Sequence, residues 1–169
     1  MFLYEEIFCE FKKQKVKYLI VGGMAVNLLG SLRSTADLDI LVEMTDQNLA
    51  KIVKILKKKK YNVKIPIDPI EFVKAKTRKD LVKNKHLKAL NFYKHDELKE
   101  VDIIIDSPIS YEAAMEHCVY VKIGNLAVPV ISIDDLIKIK RKTGRSVDKF
   151  DVEELKRVKK LKNTTKKYE

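Results

Sequence analysis

Three aspartates stand where aspartate is least expected. Asp37 and Asp39 lie two positions apart in the apolar run ADLDILVE, and Asp102 sits inside EVDIII. Strands accept aspartate poorly, and a buried charge without a partner is costly. Such residues either stand at a strand end in water or face something positive. Strand side chains alternate, so Asp37 and Asp39 point to one face while Leu38 and Ile40 point into a core. A divalent cation relieves two like charges on one face, and Mg²⁺ prefers a few carboxylates with phosphate oxygens and water. If the strand of Asp102 lies alongside, three carboxylates converge. That is enough to hold two metal ions roughly 3.5–4 Å apart for in-line phosphoryl transfer. A lone acid–apolar–acid triplet is also the pattern of an exposed strand or turn, so the neighbours of these residues must decide.

The nearest such neighbour is Gly22-Gly23, between the apolar stretch VKYLIV and a short apolar run MAVNLLG. A strand, two glycines and a helix start expose backbone N–H groups at a helix N-terminus, where phosphate binds and a missing Cβ permits close approach. No GK[ST] follows, so this is not a Walker loop. A tight strand-to-helix turn has the same appearance.

Positioning these groups falls to the surrounding elements. Leu3, Ile7 and Phe11 at spacing four predict a helix over 3–14. Strands are expected at 16–23 and 36–44, with a short helix between them that closes near Gly30. Thr45 or Asp46 caps a helix whose Leu49, Ile52, Val53 and Leu56 share a face. Pro66 and Pro69 break regularity in 61–85, where KTRKDLVKNK reads as either a short helix or a loop. HLKALNFYK and KEVDIIID read as two strands joined near His95–Glu97. Ser110 caps a short helix, and two alternating runs around Gly124-Asn125 form a hairpin. Two helices follow, separated by Gly144, the first capped by Ser132; the tail from Asn163 is expected to fray. The order gives an α/β fold with a mixed β-sheet flanked by helices and a C-terminal helix pair. One domain is expected over 1–169, with its core in 15–131 and the C-terminal helices in 132–162.

The chain of 169 residues is 46% apolar and 35% charged, with a net charge of +11. No run of 18 apolar residues and no basic-then-apolar leader occurs, which predicts a cytoplasmic protein without a membrane span. Cys9 and Cys118 have no zinc or CxxC spacing and read as buried or half-buried thiols. His86, His95 and His117 do not cluster and read as ordinary core or surface histidines. The positive charge is confined: residues 51–100 carry a net +10 and 138–169 a net +8, while 1–50 and 101–137 are net acidic. Such clustering suits a polyanion, RNA or a nucleotide phosphate chain. It is equally the composition of lysine-rich solvated helices in heat-adapted proteins.

Taken together, Val21-Gly22-Gly23, then Asp37-Leu38-Asp39-Ile40, then Val101-Asp102-Ile103 resemble the DNA polymerase beta-like nucleotidyltransferase superfamily. Gly22-Gly23-Met24-Ala25, Arg33-Ser34-Thr35-Ala36 and DDLIKIKRKTGRSVDKFDVEEL are similar to the minimal, AbiEii toxin-type members. The resemblance covers nearly the whole chain and is weakest over 61–95. It implies that Asp37 and Asp39 bind Mg²⁺ and the triphosphate of an NTP, and that Asp102 is a further metal ligand or the general base. The Gly22-Gly23 backbone and Arg33 would hold phosphates, Thr35 would shape the turn, and Lys140 and Arg145 would contact nucleotide or acceptor. Two departures stand out: many relatives carry serine at Gly23, and many carry lysine at Val147.

The implied activity is Mg²⁺-dependent transfer of an NMP from an NTP to a hydroxyl of RNA, tRNA or protein, with an antitoxin as a further partner. Two alternatives stay open: a non-catalytic, antitoxin-like binding module on the same fold, and nucleotidylation of a small molecule.

Overall fold

The computed structural model describes residues 3–165. Helix α1 (Glu5–Lys13) opens with Glu5 and Glu6 and closes with Lys12 and Lys13, charges that suit its dipole. Its inward face carries Ile7, Phe8 and Phe11, preceded by the fully buried Tyr4, while Leu3 lies outside. Strand β1 (Tyr18–Ile20) is buried throughout. Helix α2 (Gly22–Leu29) starts at the glycine pair itself and ends on Gly30, whose φ of 118° is a left-handed cap. Strand β2 covers Leu38–Val42, so Asp37 precedes the strand instead of belonging to it. Helix α3 (Asp46–Lys58) is capped by Thr45, which accepts from the Asn48 N–H, and it buries Leu49, Ile52, Val53 and Leu56 as its periodicity predicts.

The ambiguous stretch resolves into a two-residue strand β3 (Asn62–Val63) and helices α4 (Pro69–Val73) and α5 (Ala75–Lys85). Pro69 is tolerated because it occupies the first turn behind the Asp68 cap. Strands β4 (Ala89–Lys94) and β5 (Lys99–Ile104) flank a 3-10 turn at His95–Glu97. Helix α6 (Tyr111–Met115) follows its Ser110 cap, and the hairpin of β6 (Val119–Ile123) and β7 (Leu126–Val130) turns at Gly124-Asn125. Helix α7 (Ile133–Thr143) is capped by Ser132 and ends on Gly144. Helix α8 (Ser146–Thr165) runs past Asn163, so the expected fraying does not begin there; residues 166–169 lie outside the described residues.

The seven strands form one mixed sheet in the order β3-β4-β5-β2-β1-β7-β6, with β2–β5 and β1–β7 parallel and the remaining pairs antiparallel. This is the expected α/β architecture. On one side of β2, β5 and β4, the alternate residues Leu38, Ile40, Val101, Ile103, Leu90 and Phe92 are fully buried. They belong to the same core as the apolar stripes of α1 and α3. Helix α8 packs on α7 and reaches α2. Cys118 is half-buried as expected, but Cys9 is exposed, because it falls on the outer side of the α1 stripe.

Candidate active site

The residues between those buried positions face the other way and form a polar row. In the parallel pair β2–β5, Asp39 stands opposite Asp102; in the antiparallel pair β4–β5, Asn91 stands opposite Asp102. Three strands thus present Asp39, Asp102 and Asn91 side by side, at the roughly 4.8 Å spacing of neighbouring strands. Glu100 shares the face of Asp102, two residues back along β5. Lys64 reaches over from beyond β4 to Glu100, Nζ to Oε2 2.5 Å. Asp37, exposed just ahead of β2, adds its field to both Asp39 and Asp102.

Burial and like charge both disfavour ionisation in the row. Burial, then the charges of Asp102 and Asp37, push the Asp39 carboxyl up to about 6, against the opposing pull of the Gly23 N–H and Lys140. Burial also raises Asp102, with the Asn91 amide pulling in the other direction. Among the described residues, Asp102 Oδ1 is buried with no hydrogen-bond partner.

Gly22 and Gly23 abut this row for separate reasons. Gly22 has φ of 64°, and a Cβ there would collide with the Asp39 carboxylate. Here glycine is required by both backbone and space. A Cβ on Gly23 would come within 2.9 Å of Thr35 Oγ1 and 3.2 Å of the Arg33 guanidinium carbon. The hydroxyl that Gly23 lacks therefore has a hydroxyl beside it, that of Thr35.

Arg33 is fixed at its backbone, where its N–H donates to Asn27 Oδ1 at 2.9 Å, and its guanidinium donates to Asp151 on α8. Lys140 is buried, with Nζ 2.7 Å from Asp151 Oδ2 and 3.3 Å from Asp148 Oδ1. Arg145 donates through Nε to Asp148 Oδ2 at 2.8 Å, while its side chain stays 69% exposed. Burial opposes the Asp148 carboxylate, but the hydrogen bond from Arg145, with Thr143 and the charge of Lys140, outweighs it and holds the pKa down to about 2. Among the described residues, Asp151 Oδ1 is left buried without a partner. Lys140 and Arg145 thus lie beside the acid row already matched to carboxylates, and a nucleotide would meet the buried Lys140 only through an exchange of partners.

The residues fit a divalent cation in their chemistry: adjacent carboxylates, a buried carboxylate oxygen lacking a partner, and a glycine that leaves the space open. They are not closed into a ready cage. Among the described residues, no three His, Cys, Asp or Glu side chains gather tightly enough to enclose a metal ion. Asn91 and Glu100 are members of the site that neither spacing nor motif revealed. Only the sheet register brings Asn91 and Glu100 to Asp102, and a register of distant strands leaves no local mark in a sequence.

A mixed sheet with this acid row beside a glycine turn is that of a nucleotidyltransferase. The chain belongs to the aminoglycoside-2''-adenylyltransferase family, whose model matches residues 4–157. Among solved structures it is similar to the lincosamide antibiotic adenylyltransferase LnuA bound to lincomycin. The two are 19% identical, with a TM-score of 0.63 over 92% of this chain and 96% of that one. It is also similar to the antibiotic-resistance factor ANT(2'')-Ia, at 13% identity and a TM-score of 0.58 over 98% and 90% of the two chains. A Thermotoga maritima protein solved as a candidate nucleotidyltransferase matches at 18% identity and a TM-score of 0.58 over 96% and 91%. No protein of curated function matches the chain. Among the described residues, no helix is long and apolar enough to cross a membrane.

Proposed function

We propose that this enzyme transfers an NMP from a Mg²⁺-bound NTP to a hydroxyl group, releasing pyrophosphate, and that the hydroxyl belongs to RNA. The observation that carries the transfer reading is the pairing of Asp39 with Asp102 in one register, with Asp37 and the Gly22 turn beside them. Asp37 and Asp39 would hold Mg²⁺, which when bound neutralises triphosphate charge. Asp102 takes the proton of the acceptor hydroxyl. The acceptor oxygen then bonds to the α-phosphorus as the α–β bridging bond breaks and pyrophosphate departs. The Gly23 N–H, which now serves Asp39, is available to a phosphate oxygen once that carboxylate turns to the cation. Arg33 holds phosphate on the same side, and Thr35 supplies the hydroxyl that relatives carry on serine. Lys140 and Arg145 adjust the charge behind these groups through Asp148 and Asp151.

The basic excess over 51–100 supports an RNA acceptor. With it go a single catalytic unit spanning 1–169, a cytoplasmic location and an AbiEii-like toxin role with an antitoxin partner. One observation favours a second reading. The matched family model and the LnuA and ANT(2'')-Ia structures are named for antibiotics, and Glu100 beside Asp102 suits a cationic small molecule.

The test is transfer of label from each α-labelled NTP, with Mg²⁺, to total RNA, to protein, or to an aminoglycoside and a lincosamide. RNA labelling that disappears in Asp39→Asn is expected. Equal labelling by that variant ends the catalytic assignment; antibiotic labelling alone moves the acceptor to the second reading.

A further inference from the structure

Beyond β4 the polar face runs on to the edge of the sheet. Tyr93 lies two residues past Asn91 on the same face, and Asn62 of β3 stands opposite it. Together they wall a cleft of about 730 Å³ that wraps the sheet edge, lined also by Lys57, Lys60 and Pro66. Lys57 and Lys60 are exposed; among the described residues Lys57 has only a long ion pair to Asp68, 3.9 Å, and Lys60 forms none. Lys60 also holds φ of 64° just past the end of α3, a position where glycine is the usual occupant. A lysine kept there, beside the aromatic ring and proline of an open cleft, combines cationic and stacking surfaces.

We propose that this cleft is the acceptor subsite for a single-stranded polynucleotide. The inference rests on the transferase reading above. Tyr93 and Pro66 take the faces of the bases, and Lys57 and Lys60 take the phosphates. Tyr93 is opposite Glu100, so it lies diagonally from Asp102 at about 7–8 Å between backbones. A strand seated in the cleft therefore brings its 3′-terminal hydroxyl to Asp102. Lys64, between the cleft and the acids, exchanges Glu100 for the last phosphate. A polycationic antibiotic would meet two exposed lysines here, so the cleft selects against it.

The test is fluorescence anisotropy of the full chain with a labelled 12-nucleotide single-stranded RNA, its DNA counterpart and an aminoglycoside as competitor, without NTP. Omitting NTP keeps a failure of transfer distinct from a failure of this subsite. Lys57→Glu/Lys60→Glu is expected to weaken oligonucleotide binding at least tenfold. It should also lower the log–log salt slope by about 1.4, two contacts of roughly 0.7 each. Tyr93→Ala should weaken binding several-fold with the slope unchanged. A control pair on α8, Lys160→Glu/Lys162→Glu, should change binding less than twofold. Tighter binding of RNA than DNA identifies the acceptor sugar; equal binding keeps the polynucleotide and removes the sugar preference. The proposal is overturned if the cleft variant binds as the parent does, if the α8 variant loses as much, or if the aminoglycoside displaces the strand through this cleft.

Discussion

Asp39 and Asp102 are directly paired neighbours on parallel strands, although 63 positions separate them along the chain. Among the described residues neither has a cation close enough to form an ion pair. Asp39→Asn should therefore abolish detectable transfer while leaving the metal-free fold as stable or more stable, since it removes one of two repelling charges. Parallel assays of label transfer and thermal melting check this. A melting temperature that fell steeply with the activity would assign Asp39 a structural task instead.

The same crowding sets a pH dependence. The Asp39 carboxyl lies near 6 in the folded chain and near the ordinary carboxylate value when unfolded, so between these the folded state binds more protons. Metal-free stability is then greatest in acid and declines as pH rises from about 4 to about 6, by roughly 2–3 kcal/mol if this group acts alone. Mg²⁺ competes with that proton. Its stabilising effect, read as a melting shift at fixed excess metal, should be small at pH 5 and larger at pH 7.5.

Asn91 tests the row from its neutral end. Its amide pulls the Asp102 pKa down against burial. Asn91→Leu keeps the volume and removes that pull, so the acidic limb of the kcat/KM profile should move to higher pH while NTP affinity stays within about twofold. An unmoved limb would show that Asp102 does not control it.

Lys140 is buried between two carboxylates, and removing it leaves each with a single arginine, Asp151 with Arg33 and Asp148 with Arg145. Lys140→Met should cost about 3 kcal/mol in urea unfolding, the low end for a broken buried pair. Adding Asp151→Asn to that variant should recover part of the loss, because Asp151 would no longer be a buried charge. Arg33→Ala should cost less, since Arg33 is partly exposed and Lys140 still serves Asp151.

Gly22 should resist any side chain. Gly22→Ala meets both a left-handed backbone and the Asp39 carboxylate, so a loss of about 1–3 kcal/mol in stability should accompany loss of NTP binding by calorimetry. Retained binding would free the glycine turn from the phosphate role.

Much of this architecture was legible from local signals. The caps Thr45, Ser110 and Ser132, the Gly124-Asn125 turn and the stripe of α3 each follow from a few adjacent residues. Residues 61–85 did not yield, because a two-residue edge strand and a proline-started single turn carry too little periodicity to separate from a loop. Asp39 and Asp102 announced themselves as charges inside apolar runs. Asp37 was misplaced by one position, since an exposed residue before a strand looks like its first. Asn91 has no such contrast, because an amide in a half-buried strand is unremarkable until the strand beside it is known. For Lys140 the sequence suggested only a contact to nucleotide or acceptor; packing of α7 against α8 is what puts Asp148 and Asp151 around it.

Tyr4 lies outside every motif, yet its hydroxyl accepts from the Glu100 N–H at 3.1 Å. Its single proton is shared between the carbonyls of Ala36 and Glu100, at 2.6 and 2.7 Å. One phenol near the start of the chain thereby rivets the approach to β2 to the start of β5, the two segments that carry the acids. An N-terminal trim through this residue would loosen the alignment of Asp39 with Asp102 from outside the site. In a mutational scan it would register as a catalytic lesion at a residue that touches no substrate.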